Sequence, residues 1–200
     1  MGQVPLDVKA IQAAIRRTYA EASRSAEGKF NYPTGRAGLR LLGYDLSVVA
    51  GLPDEVLNTF CGVGNPFSLG PIQAGEAVLD VGCGAGLDLV FAARLVGPAG
   101  QVHGLDLTSE MVERARQTLH LAGVPGARVQ LGAAEALPYS KGTFDVVISN
   151  GVLNLSPLKE ACLREIARVL KAGGRLQMAD IVRRADLPAE VAANLQAWSA

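Results

Sequence analysis

The sequence has few charged or aromatic residues and no long run of apolar ones. Its 19 Lys and Arg balance its 19 Asp and Glu, so it lacks the basic excess that favours nucleic acid as a partner. The apolar runs are too short to cross a bilayer, and no signal-peptide core lies near the amino terminus. These absences argue against a membrane or a nucleic acid as the main partner.

Cysteine is also scarce. The chain has 3 cysteines, Cys61, Cys83 and Cys162, which do not form a disulfide framework. Their spacings match no zinc-binding pattern, so we assign no metal ligand. Because unpaired thiols are typical of a reducing compartment, we predict a cytoplasmic protein.

What the sequence does contain is enough apolar material for a sizeable core. Of its 200 residues, 49% are hydrophobic, which indicates a compact chain. From Glu76 onward, predicted strands near 77–81, 101–106, 127–132, 144–149 and 174–181 alternate with predicted helices near 86–96, 109–122, 157–170 and 188–198. Repeated βα units predict an α/β fold with a mainly parallel sheet. Residues 76–200 form the predicted core, and residues 1–75, mostly helical, form a predicted cap or lid over its site.

One motif stands out at the start of the predicted core. Residues 78–86 are a short apolar strand, interrupted by Asp80, followed by glycines at alternate positions, Gly82, Gly84 and Gly86. A helical pattern follows at once. Strand, glycine turn and helix begin a nucleotide-binding βαβ unit, in which a ligand lies against bare backbone at a helix N-terminus. A tight turn without a ligand would show the same glycines, and the motif alone does not separate the two.

The next predicted strand favours a ligand. It ends in Asp106, and one carboxylate at that position can accept hydrogen bonds from both hydroxyls of a ribose. The glycine spacing is G-x-G-x-G, whereas a dinucleotide site is typically G-x-G-x-x-G.

With Asp80 two residues before it, this glycine pattern resembles motif I of the class I S-adenosylmethionine-dependent methyltransferases. The resemblance covers residues 76–182 and includes the runs 132–138, 144–150 and 170–176. It implies a Rossmann-like fold with strand order 3-2-1-4-5 and S-adenosylmethionine as the cofactor. It also implies these cofactor contacts: Tyr19, Asp80, Gly82, Cys83, Gly84, Asp106, Leu107, Met111, Ala134, Glu135, Asn150 and Leu155.

By the same resemblance, the sheet lacks its final strands. Five strands are predicted where such enzymes usually have two more, so the strand at 174–181 should form an edge. An uncovered edge presents unpaired backbone groups to another chain, and a homodimer through this edge is one expected outcome. Coverage of the edge by residues 186–198 is the other.

A narrower resemblance is to the arsenite methyltransferase family. It rests on residues 62–66, 149–155, 178–181 and 187–198. The family binds trivalent arsenic through cysteine thiolates, which suit a soft element. Where the family loop reads Gly-Cys-Gly-Asn-Pro, this chain has Val63, and Cys61 lies two residues earlier. Cys61 is therefore the candidate substrate contact, although a small buried residue is the simpler explanation of a cysteine here.

Three functions remain open from the sequence. The first is methyl transfer to a small acceptor of the arsenite type, and the second is methyl transfer to an organic metabolite such as a quinone or an amine. The third is a fragment that binds the cofactor without catalysis, suggested by Val63 and by the last residue, Ala200. No Ser-His or Cys-His pair is evident, and methyl transfer requires none, because positioning the reactants and excluding water supply the catalysis.

Overall fold

The protein is described here from a computed structural model, which covers residues 7–182 and Trp198. Short helices precede the sheet: α1 (Val8–Ala22), α2 (Gly35–Leu41) and α3 (Asp54–Leu57), with 3-10 turns at Leu46–Val49 and Pro66–Leu69. Then follow β1 (Ala77–Val81), α4 (Leu87–Val96), β2 (Gln101–Asp106), α5 (Ser109–Leu121), β3 (Arg128–Leu131), β4 (Phe144–Asn150), α6 (Lys159–Val169) and β5 (Leu170–Ala179).

The strands form one parallel sheet in the order β3-β2-β1-β4-β5. This confirms the predicted fold class and strand order. The central strand β1 is buried on both faces, with Val78, Leu79 and Val81 fully inaccessible, as the continuous apolar run of a parallel strand requires. The strand order reverses beside β1, because β2 lies on one side of it and β4 on the other. Such a reversal leaves a crevice at the carboxyl ends of the strands.

A hydrophobic core lies on each face of the sheet. One core packs α4 and α5 against the sheet through residues such as Val90 and Val112. The helical segment before the sheet joins this same core through Leu39, Val56 and Phe60. The other core packs α6 against the opposite face. The segment that precedes β1 is thereby anchored beside α4, near the crevice.

Two element boundaries differ from the predicted ones. The helical spacing of apolar residues such as Ile11, Ile15 and Tyr19 predicts a helix over 7–27, whereas helix α1 ends at Ala22. Strand β5 begins at Leu170, directly after α6, because Leu170 pairs with Phe144 and the glycine pair that follows is accommodated by a register irregularity within the strand. The predicted helix at 188–198 lies outside the described residues, apart from Trp198. In residues 7–182, no helix is long and apolar enough to span a membrane.

Candidate active site

A cavity opens at the carboxyl ends of β1, β2 and β4, where the sheet topology predicts a ligand. Helix α1 and residues 59–62 contribute to its lining. Eleven of the predicted cofactor-binding residues line this cavity: Tyr19, Asp80, Gly82, Cys83, Gly84, Asp106, Leu107, Ala134, Glu135, Asn150 and Leu155. Met111 does not line it. This side chain is fully buried between Ala22 and Ala85, where it packs α5 against α1 and the glycine loop.

The glycine loop is tied to the end of β2 by its own backbone. The N–H groups of Gly82 and Cys83 both donate to the carbonyl of Leu105, at 2.8 and 3.0 Å. One residue further on, the N–H of Gly84 donates to Oδ2 of Asp106 at 2.9 Å. These hydrogen bonds hold the glycine loop in one conformation beside the end of β2.

Two glycines of the loop have different physical roles. Both have a positive φ, +50° at Gly84 and +86° at Gly86. A Cβ added at Gly86 would lie 2.9 Å from the backbone and the side chain of Ala115, so this glycine allows α4 to approach α5 closely. A Cβ at Gly84 would meet nothing within 4 Å. Since Gly84 also lines the cavity, the space beside it is a cradle in which a ligand can lie against the backbone.

We expect alanine substitutions at these two glycines to separate packing from binding. Gly86→Ala should lower the free energy of unfolding by about 2–4 kcal/mol, because overpacking adds to the strain of a positive φ. Gly84→Ala should cost only about 1 kcal/mol of stability, from the strained φ, yet weaken cofactor binding at least about tenfold. Urea unfolding and calorimetric titration of both variants measure these effects. Equal losses of stability in the two variants would contradict the distinction.

Backbone N–H groups fix the orientation of the Asp106 carboxylate, which lines the cavity. The residue is 9% exposed, and its oxygens accept the N–H groups of Gly84 and Thr108, both at 2.9 Å. Burial raises the pKa of this carboxyl, while the backbone hydrogen bonds of Thr108 and Gly84 oppose the rise. The oriented, nearly water-free carboxylate fits the ribose role that its position predicts.

Asp80 is the clearest sign that the cavity binds something. Its Oδ2 is buried without a hydrogen-bond partner among the residues that the structure describes, and the residue lines the cavity. Burial raises its pKa well above the usual value, and the neighbouring Asp88 and Asp106 raise it further. An orphaned carboxylate oxygen is costly unless a donor reaches it. A ligand with an ammonium group, such as the methionine end of S-adenosylmethionine, would supply that donor.

Comparison with known proteins agrees with this geometry. A family profile described as "Methyltransferase domain" matches residues 72–200. The chain belongs to that family. An arsenite methyltransferase of Halobacterium salinarum is 39% identical over 158 residues, which cover 79% of this chain and 40% of that protein. One from Aquipseudomonas alcaligenes is 38% identical over 128 residues, 60% of this chain and 36% of that protein.

Among solved structures, an arsenic(III) S-adenosylmethionine methyltransferase from Chlamydomonas reinhardtii superposes with a TM-score of 0.64 at 34% identity. The match covers 80% of this chain and 53% of that one. The chain thus spans about half or less of the length of these relatives. It is a class I methyltransferase close to the arsenite methyltransferases, and its cofactor is S-adenosylmethionine.

The candidate substrate contact is Cys61. The residue is partly exposed and lines the cavity, and its carbonyl accepts the Tyr32 hydroxyl at 3.0 Å. Burial raises the pKa of its thiol to about 12, and the nearby Asp106 and Asp88 add to the rise. The thiol is therefore protonated at neutral pH in the absence of a ligand.

The other two cysteines have different surroundings. Cys83 is buried within the glycine loop, and a Cβ at Gly104 would lie 2.9 Å from its sulfur, so the cysteine packs over β2. Cys162 is buried on α6, in the core on the face of the sheet away from α4, with its sulfur 3.4 Å from the hydroxyl of Ser156. Cys83 also lines the cavity, whereas Cys162 does not.

Sequence reasoning missed Asp88, which lies in the first turn of α4 and is 8% exposed. An acid there has a simple explanation, because a carboxylate stabilises a helix N-terminus. Its sequence context could have indicated a buried acid, because Asp88 is the one charged residue in the otherwise apolar run from Leu87 to Ala93. The structure shows that Asp88 lines the cavity and accepts hydrogen bonds from Tyr44 and Asn150.

Proposed function

We propose that this domain transfers the methyl group of S-adenosylmethionine to trivalent arsenic that arrives with thiol ligands, and that Cys61 contacts the arsenic. The observation that carries the proposal is that Cys61 lines the same cavity as the glycine loop and Asp106. The likeness to arsenite methyltransferases supports the choice of a soft acceptor.

The roles of the chain's own residues follow from their surroundings. Asp106 would hold the ribose, and Asp80 would accept from the ammonium group of the cofactor, which supplies an electrophilic methyl on a sulfonium. The arsenic lone pair would form the new As–C bond while the C–S bond breaks and its electron pair remains on sulfur. Because the Cys61 thiol is protonated, binding of arsenic through this sulfur would form one As–S bond and break another, and the displaced thiol ligand would leave with the proton of Cys61.

The test is transfer of labelled methyl to arsenite in the presence of excess glutathione, with Cys61→Ser as the variant. We expect at least about a tenfold loss of turnover, equivalent to about 1.4 kcal/mol. The Kd for S-adenosylmethionine should change by less than about twofold, because the affected contact belongs to the acceptor.

Cys162→Ser is the matched control, because this cysteine lies in the core on the other side of the sheet and should leave turnover unchanged. Equal turnover by the wild type and Cys61→Ser would remove Cys61 from the acceptor site. Methyl transfer to quinols or amines, but not to arsenite, would favour an organic acceptor instead. Cofactor binding with no transfer to either class would indicate a binding domain.

We also propose that a second copy of the chain pairs along β5. This strand occupies one end of the sheet in the described part of the chain, and such an edge favours pairing. Sedimentation over a concentration series should show a monomer–dimer equilibrium. A sedimentation coefficient that does not depend on concentration would contradict this proposal.

A further inference from the structure

The side chain of Asn150, at the carboxyl end of β4, is fully engaged by other parts of the protein. Its Oδ1 accepts the N–H groups of Val63 and Gly64, at 2.8 and 3.1 Å. Its Nδ2 donates to the carbonyl of Gly64 at 2.9 Å and also faces Tyr44 and Asp88. An amide has two donors and two acceptor lone pairs, so these contacts leave Asn150 no free donor for a ligand.

Asp88 and Tyr44 determine the orientation of that amide. Nδ2 of Asn150 lies 3.1 Å from Oδ2 of Asp88 and 3.0 Å from the Tyr44 hydroxyl, which donates to Oδ1 of Asp88 at 2.9 Å. Since a carboxylate only accepts, the NH₂ of Asn150 must face Asp88, and its oxygen is thereby directed to the N–H groups of the loop. Burial raises the pKa of Asp88 to about 6, so this carboxyl is mainly ionised at neutral pH.

Steric contacts hold the same loop against the sheet. A Cβ at Gly62 would lie 2.3 Å from Nδ2 of Asn150, and one at Gly64 would lie 2.4 Å from the Cβ of Ala179. The loop therefore lies directly on the ends of β4 and β5 and has no room to shift toward them. Cys61 immediately precedes this constrained stretch, so its position depends on the contacts of Asn150.

Asp88 joins this loop to the cofactor loop. It is the second residue of α4, and the N-cap of that helix is Gly86, the last glycine of the motif. The titratable groups close enough to interact electrostatically with Asp88 are Asp80, Cys61, Cys83 and Tyr44. One buried network thus connects the loop that cradles the cofactor with the segment that carries Cys61.

We propose that Asn150, oriented by Asp88 and Tyr44, is a positioning residue that clamps the Cys61–Gly64 loop against the cofactor loop and so sets the distance between the Cys61 sulfur and the methyl group. The inference deepens the proposed function and rests on it for the identity of the acceptor. It replaces the cofactor contact that the resemblance implies for Asn150 with a role on the acceptor side.

The experiment measures the reactivity of Cys61 together with kinetics. In Asn150→Ala, the loop loses its anchor, and the rate of Cys61 alkylation by a maleimide, followed by peptide mass spectrometry, should rise at least about fivefold. The KM for glutathione-bound arsenite should rise about tenfold, while the Kd for S-adenosylmethionine changes by less than about twofold. Asp88→Asn should give smaller changes in the same direction, because an amide accepts at one of its two positions only.

The control variant is Asn58→Ala, an exposed asparagine that follows α3, which should match the wild type in all three measurements. Melting temperatures of every variant show whether the fold is kept, and the alkylation rate is compared with that of Cys162 in the same sample. If the Kd for S-adenosylmethionine rises tenfold or more while Cys61 alkylation is unchanged, Asn150 contacts the cofactor and the clamp is overturned. If alkylation of Cys61 rises but arsenite accepts no methyl group in any variant, the clamp stands and the proposed acceptor is wrong.

Discussion

Replacing Asp106 with alanine should weaken the binding of S-adenosylmethionine by roughly 1.5–3 kcal/mol, which is about ten- to 150-fold in Kd. The variant loses the acceptor for the ribose hydroxyls. It also leaves the N–H groups of Gly84 and Thr108 without the carboxylate that they now contact. The glycine loop should therefore lose its conformation beside the end of β2 at the same time. Isothermal titration calorimetry of the wild type and the variant measures the effect.

Two further variants make this result interpretable. Asp106→Asn keeps one acceptor oxygen for Gly84 but sets an NH₂ against the N–H of Thr108, so an intermediate loss is expected. Asp45→Ala removes an exposed helix-capping carboxylate remote from the cavity lining and should leave the Kd unchanged. Unchanged affinity in Asp106→Ala would exclude Asp106 from the cofactor site. Tight binding of a nicotinamide dinucleotide by the wild type would favour a dehydrogenase instead.

The second large effect is expected at Asp80, where function and stability oppose each other. At pH 7, Asp80→Asn should raise the free energy of unfolding of the cofactor-free protein by about 1–3 kcal/mol, because it replaces a buried carboxylate, one oxygen of which has no hydrogen-bond partner among the described residues. It should also weaken S-adenosylmethionine binding at least about tenfold, because the negative charge facing the ammonium group is lost. Denaturant unfolding and calorimetric titration test the two effects separately.

The sign of the pH dependence follows from the direction of the pKa shift. In the folded state the pKa of Asp80 lies above the usual value of 3.8. Between pH 3.8 and that higher pKa, the folded protein therefore holds a proton that the unfolded chain has released. The contribution of Asp80 to the free energy of unfolding should then fall as the pH rises from about 4 upward, and Asp80→Asn should remove this contribution, so its gain in stability over the wild type should grow with pH. The gain in stability should vanish near pH 4. A gain of the same size at pH 4 and pH 7 would show that the charge of Asp80 is not its cause.

The outlines of the fold and of the cofactor site could be predicted because their signals are local. A strand, three glycines and a helix within 78–96 specify a βα turn whatever surrounds it, and Asp106 is placed by its position at the end of the next strand. Burial of β1 on both faces required an apolar run, which the sequence shows. The start of β5 was predicted too late in the sequence because glycines usually end strands. In the structure, pairing with β4 continues the strand through Gly173 and Gly174.

The acceptor side could not be predicted in the same way, because its contacts join residues far apart in sequence. The amide of Asn150 meets a loop 86 and 87 positions earlier, and Tyr44 meets Asp88 across 44 positions. Nothing local at Asn150 distinguishes a ligand contact from an anchor for backbone N–H groups. Met111 illustrates the same limit, since an apolar residue near the glycine loop can pack beneath the loop as well as against a ligand.

The sequence by itself determined the parallel α/β fold, its strand order by resemblance, the glycine cradle and the carboxylate at the end of β2. Only the tertiary structure decided which glycine serves packing and which faces open space, and that Cys61 lines the same cavity as the glycine loop. It also decided that Asp80 is buried and that, in the part of the chain that the structure describes, one of its oxygens has no hydrogen-bond partner. The physical reason is that backbone geometry and apolar periodicity are determined by residues near one another in sequence. Burial, hydrogen-bond pairing and pKa instead depend on groups that the folded chain brings together.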